Sequence, residues 1–391
     1  MKDLIKKNLF LIIAGIGLYL LSTGISYATF SYFKKPGTIS PISPQITEEG
    51  GFKVDLAAPK TEVCPLNGAK YTKGEKEAWE KLRPLTVMIE NHQDARPQSG
   101  LSRADVIYEA VAEGGITRFL AIFYCGQIAQ AKSGAYDLGP VRSARTYFLN
   151  IASEYGDYPL YVHVGGANLP GPANALGQIG DYGWLAKGND LNQFSLGYTI
   201  CRREPERTGH TVATEHSMYC DSFALWQEAL RRKLGAVDED NNRWDKKFVA
   251  WSFKDEKASG ESVSPEFNFW QGYQEYQVKW EYDQPTNSYK RINGGASLID
   301  NNNKEQLVAK NVIVQFARER ATGDAEKHLL YDNLGEGKAL IFQDGRLIQG
   351  KWTKKDRQSR TKFLDSGGKE IKFNPGQIWI ELLPIGVEVN Y

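Results

Sequence analysis

The run Leu85-Thr-Val-Met-Ile-Glu90 decides the fold class. It is short and apolar and reads as a buried strand. Downstream, Ser102 followed three positions later by Asp105 resembles a capping box. Val106, Ile107, Ala110 and Val111 then fall on one helical face, which Gly114-Gly115 ends. Ile116 to Tyr124 reads as a second strand. Ser143 opens a helix with Tyr147, Phe148, Ile151, Ala152 and Tyr155 at helical spacing, and Leu160 to Val164 is a third strand. Strand, helix, strand, helix, strand predicts an α/β layer with a mixed sheet. Met218 to Leu234 predicts a closing helix that buries Phe223, Trp226, Leu230 and Leu234.

After Asp238-Glu-Asp-Asn-Asn242 the texture changes to short strand-like runs. These are Trp251–Phe253, Glu275–Tyr282, Tyr289–Ile292, Asn311–Phe316, Ala339–Phe342, Arg346–Trp352 and Gln377–Leu382, punctuated by Asn293-Gly294, Asp344-Gly345 and Gly367-Gly368. The expectation is an α+β protein. An α/β N-terminal domain with a mixed sheet occupies 61–240, and a β-rich C-terminal domain occupies 241–391.

Of 391 residues, 41% are hydrophobic and 24% charged, a globular composition. With 48 Lys+Arg against 47 Asp+Glu there is no basic excess, which argues against nucleic acid as a partner. The stretch Leu9–Phe33 carries no charge and is long enough to cross a ~30 Å hydrocarbon core. Lys2, Lys6 and Lys7 precede it and place its N-terminus in the cytoplasm, so the body is extracytoplasmic. Residues 1–33 are therefore a cytoplasmic stub and single-pass membrane anchor. A signal peptide cut after Ser26-Tyr27-Ala28, releasing a secreted body, is the competing reading. Residues 34–60, with Pro36, Pro41, Pro44 and Pro59, form a flexible linker.

The four cysteines contain no CxxC pair, so no metal site is expected. In an oxidising compartment they predict disulfides, with Cys64–Cys125 and Cys201–Cys220 preferred because they close the shortest loops.

No HExxH, Walker loop or GxSxG is present, and no cofactor is expected. Polar residues gather instead where strand ends of an α/β layer open a crevice. Asn91, His92 and Arg96 follow the first strand. His163, Gly165 and Gly166 close the third. Arg142, Ser143 and Arg145 open a helix whose amides and two arginines suit an anion, with Glu109, Glu113 and Arg118 nearby. The bland alternative is that these arginines pair with Glu109, Glu113 or Asp94 and hold the domain together. His210 and His216 flank Glu215, but their spacing is no recognised ligand pattern, and a loop role for His216 is favoured.

The segments Arg83–Asn91, Ala95–Gly100, Ala104–Glu109, Glu113–Arg118 and Gly139–Arg145 resemble the YerB-like family of bacterial extracytoplasmic lipoproteins. So do Asn311–Val314, Gly335–Gly337, Asp344-Gly345, Gly350–Trp352 and Pro375–Trp379. The resemblance covers about residues 80 to 385. It implies two domains, export and membrane attachment, and it implies no reaction. The family's lipidation cysteine is missing, which leaves Leu9–Phe33 as the anchor. The expected function is non-catalytic binding of an anionic envelope ligand, such as a cell-wall polymer or fragment. One alternative is a wall hydrolase or transferase using His163 with Glu109 or Glu113. Another is a scaffold for an envelope protein.

Overall fold

The structure is a computed structural model and describes Phe52 and residues 54–128, 136–255 and 257–391. The expected anchor and most of the linker lie outside the described residues. Among those described, no helix is long and apolar enough to cross a membrane. Phe52, inside the expected linker, is buried against Phe223 and Trp226 with ring centroids 5.3 and 6.1 Å away.

One large sheet of eleven strands dominates the described residues. Along the chain its strands are β1 Leu85–Glu90, β2 Val106–Glu113, β3 Ile116–Phe123, β4 Leu160–His163 and β5 Asp190–Asn192. They continue with β6 Asn311–Ala321, β7 Leu329–Asp332, β8 Gly335–Gln343, β9 Arg346–Lys354, β10 Lys362–Asp365 and β11 Ile378–Pro384. The order across the sheet is β10-β9-β8-β6-β11-β2-β3-β1-β4-β5, with β7 on β6. β11 runs parallel to both β6 and β2, and β4 runs parallel to β1 and β5. The other neighbours are antiparallel. The sheet is mixed and the fold α+β, as expected. Strands from both halves of the sequence share it.

The expected helix over 102–113 is instead strand β2, and Gly114-Gly115 is the hairpin turn into β3, with φ of +59° and +78°. All but the last residue of β2 are buried. A strand covered on both faces shows no alternation, and its apolar run imitates a helical stripe. Ser102 caps nothing. Its amide and hydroxyl donate to Asp300 Oδ2 at 2.8 and 2.7 Å. The helix expected at Ser143 begins at Thr146 and ends at Ala152. The closing helix is split into a strand, Met218–Asp221, and a helix, Ser222–Arg231, capped by Asp221 accepting from the Ala224 amide at 2.7 Å.

Both expected disulfides form, Cys64–Cys125 and Cys201–Cys220. Beside the first, Asp105 is buried and accepts from Asn67 at 2.6 Å and from the amides of Tyr124, Cys125 and Gly126. Burial pushes its carboxyl up to about 7, and those three amides pull it back only in part. A carboxyl raised in the folded state binds its proton more tightly there than in the unfolded chain. Its contribution to stability is full below the ordinary value of 3.8 and lost as pH rises through about 7. Asp105→Asn, which cannot titrate, should shrink the difference in melting temperature between acidic and neutral buffer. An unchanged pH profile would show that this carboxyl is ionised throughout.

A smaller sheet covers one face of the large one. Its strands are Glu266–Phe267, Val278–Asp283, Ser288–Asn293, Ala296–Ser297 and Val308–Ala309. From it Arg291 reaches Glu109 on β2 at 2.6 Å and also pairs with Glu381 on β11. These two glutamates are register partners on adjacent strands, and all three side chains are fully buried. Trp280 and Trp379 hold the guanidinium, their ring centroids 5.0 and 4.9 Å away. Trp280 Nε1 also donates to Glu381 at 2.9 Å. Burial drives the Glu381 carboxyl well above its ordinary range, against the pull of Arg291 and with the push of Glu109.

Removing one partner of a buried pair costs about 3–5 kcal/mol. Arg291→Met should therefore lower stability by about that much, in a single transition because both halves share the sheet. Urea denaturation followed by tryptophan fluorescence measures it. A loss below about 1 kcal/mol, within the range of an exposed pair, would show that this pairing does not hold the halves together.

Candidate functional site

The carboxyl ends of the parallel strands β1, β4 and β5 meet at Glu90, His163 and Asn192. The segment 139–144 threads this edge. The Arg142 amide donates to the Met88 carbonyl at 2.9 Å, and the Val164 amide donates to the Arg142 carbonyl at 3.1 Å. The crevice rule points to this edge of the sheet. The residues expected there separate into four groups.

The first group is an inner network. Asn91 is fully buried, its Nδ2 within 3.2 Å of Glu109, Thr117 and Asn293. Arg96 is pinned by the side chain and carbonyl of Asn91 at 3.0 Å and by the Glu275 carbonyl at 2.8 Å. Together with Glu109 they extend the Arg291 cluster and offer nothing to a ligand.

In the second group Arg145 pairs as the bland reading has it, whereas Arg142 does not. Arg145 pairs with Glu113, and Arg118 lies 3.6 Å from the same carboxylate. Arg118 also donates to the Ser143 carbonyl at 3.1 Å. Arg145 occupies the N-cap position of the Thr146–Ala152 helix and is buried, whereas Arg142 and Ser143 precede that helix. The expectation that Arg142, Ser143 and Arg145 open the helix therefore fails, because the chain is still extended at Arg145.

The third group is packed shut. His163 is sealed, one ring nitrogen 2.6 Å from Asp190 Oδ1 and the other 2.6 Å from the Gly165 carbonyl. A Cβ on Gly166 would lie 2.9 Å from Leu176 and 3.0 Å from Ala144, so this glycine serves packing and not ligand approach. At Gly165, with φ of +57°, a Cβ would lie 3.4 Å from the Phe194 ring.

The fourth group is partly open. Glu90, nearly buried, receives Arg142 Nε on one oxygen at 3.1 Å and His216 Nδ1 on the other at 2.9 Å. The His216 ring stacks on His92, centroids 4.5 Å apart and planes within 9°. Asp94 lies beside His92, its Oδ2 3.7 Å from Nδ1. Burial favours the neutral Glu90, but the hydrogen bond from His216 and the charges of Arg142 and Arg118 outweigh it and leave the carboxyl lowered. The same hydrogen bond raises His216 against its burial. Arg142 and His92 keep roughly a quarter of their side chains exposed.

Sequence reasoning passed over Glu90, Asp94 and His216 as site members. Glu90 stands next to two residues that were singled out, and position alone marked it. His216 comes from a turn 126 residues away, Thr214–His216, and no spacing rule joins it to Glu90.

Two family models match the chain: "Protein of unknown function (DUF3048) N-terminal domain" over residues 71–234, and the corresponding C-terminal domain over residues 267–380. The chain belongs to this two-domain, YerB-like family. It is 29% identical over 324 residues to "Putative lipoprotein YerB" of Bacillus subtilis (strain 168), covering 82% of this chain and 86% of that protein. The crystal structure of YerB from Bacillus subtilis matches with a TM-score of 0.66 at 26% identity, covering 85% of this chain and all of that one. The family resemblance drawn from the sequence segments therefore holds.

Arg145→Ala removes one cation from Glu113, which is 27% exposed and keeps Arg118 at 3.6 Å, and should cost about 1–3 kcal/mol. Urea midpoints of the variant and the parent measure it. A change within about 0.5 kcal/mol, typical of a surface site, would return Arg145 to the list of free ligand groups.

Proposed function

We propose that the protein is a membrane-associated, extracytoplasmic binding protein of the cell envelope, and that it holds an anionic wall polymer or a fragment of one at the edge formed by β1, β4 and β5. Three features support the location. Two disulfides suit an oxidising compartment. The charge-free stretch Leu9–Phe33 can tether the body. The curated relative carries a lipoprotein name.

The ligand reading rests on one observation: the chain that follows β5 carries protruding aromatics at the same sheet edge as the part-exposed Arg142. Phe194 and Tyr198 are 75% and 73% exposed on the chain that follows β5, and Phe194 lies against Gly165. Val164, which precedes Gly165, is hydrogen-bonded to the Arg142 carbonyl. Rings exposed to this degree offer apolar faces to a sugar backbone, and the guanidinium edge of Arg142 offers donors to its anionic groups. The hydrolase reading loses its base, because His163 is sealed and both ring nitrogens are engaged.

The test is co-sedimentation of the full chain with purified wall sacculi, with and without their anionic polymer. Phe194→Ala and Tyr198→Ala touch exposed rings and should leave the melting temperature unchanged. Together they should weaken retention at least tenfold, about 1.4 kcal/mol. Arg142→Gln should remove the dependence on the anionic polymer. Equal retention by all variants would overturn the reading.

A further inference from the structure

The cluster around His216 carries a second inference, independent of any polymer. Among the described residues, ligand-capable atoms of His92, Asp94 and His216 lie within 4.8 Å of one another. Three observations suit these groups to a cation. First, Glu90 accepts a hydrogen bond from His216 Nδ1 at 2.9 Å. A carboxylate accepts only, so Nδ1 carries the proton and Nε2 presents its lone pair. This carboxylate–imidazole pairing is what orients and strengthens a histidine ligand. Second, the Asp94 amide donates to His92 Nδ1 at 3.3 Å, so that nitrogen carries no proton and gives up only a long hydrogen bond to meet an ion; it lies 3.7 Å from Asp94 Oδ2. Third, the carboxylates of Glu90 and Asp94 offset the charge of Arg142, so a divalent ion does not enter a positive field.

We infer that His92, Asp94 and His216 form a site for a borderline divalent ion of the zinc class, with Glu90 as the positioning carboxylate behind His216. Two imidazoles and one carboxylate select zinc and its neighbours over calcium or magnesium, which take oxygen ligands. Three protein ligands leave one tetrahedral position for water or a bound anion. The parallel rings of His92 and His216 cannot both aim a lone pair at one ion. The His92 ring must therefore turn out of the stack, and its partial exposure and single long hydrogen bond leave it free to do so.

The experiment uses the full chain, purified without a histidine tag, stripped with chelator and titrated calorimetrically with zinc chloride alone. The expected result is one site per chain and a rise in melting temperature on zinc addition. Calcium should give neither. His92→Ala and Asp94→Ala alter half-exposed and exposed side chains, so they should fold as the parent does and bind zinc at least tenfold more weakly. Glu90→Gln should weaken zinc less than His92→Ala does, because it removes only orientation. Zinc binding unchanged in His92→Ala, or no heat from the parent at millimolar zinc, would overturn the inference. No polymer is present, so neither outcome bears on wall retention.

Discussion

Arg291 brings a positive charge into the seam between the small sheet and the large one, and the neighbouring side chains are arranged around it. A lone guanidinium there would be intolerable. It is matched by Glu109 from the N-terminal half and Glu381 from the C-terminal half, with the indoles of Trp280 and Trp379 packed against it. Glu109 in turn accepts from Thr117 at 2.6 Å and lies within reach of Asn91, which is tied to Arg96 and Gln98. A single buried cation thus orders polar side chains from both halves of the sequence. The body has a second device of the same kind. Glu154, on the turn after the Thr146–Ala152 helix, takes Lys354 at 2.7 Å and Arg360 at 3.3 Å from the C-terminal half.

These two clusters explain why so many charged residues that looked available are not. Buried charge must be paired, and a body built around it draws in Asn91, Arg96 and Glu109 before any ligand can. The residues left over at the rim, Arg142, His92 and Asp94, keep some exposure because Glu90 and His216 already satisfy the most buried part of that edge.

The legibility of the sequence follows the range of the interactions. Both disulfides could be read because each closes the shorter of the competing loops. The hairpins at Asp344-Gly345 and Asn293-Gly294 could be read because their turn chemistry is local. Strand β2 could not, since burial on both faces erased the alternation that distinguishes a strand. The site was half legible. His92 and Arg142 stand at strand ends, where crevice rules look. The partners of Glu109 and Glu90 are 182 and 126 residues away and follow only from the assembled sheet.

The place of β11 has a consequence for how the chain is made. The strand that fills the middle of the sheet, Ile378–Pro384, comes from the far end of the sequence, and until it is threaded β2 and β6 have no neighbour on that side. During synthesis and export the N-terminal half therefore carries an open row of backbone donors and acceptors on a strand made almost wholly of core residues. Such an edge recruits other strands indiscriminately. A stalled or clipped product lacking those last residues is thus a nucleus for aggregation. Delivery of the intact chain, kept unfolded or shielded until its end emerges, is a requirement written into the strand order.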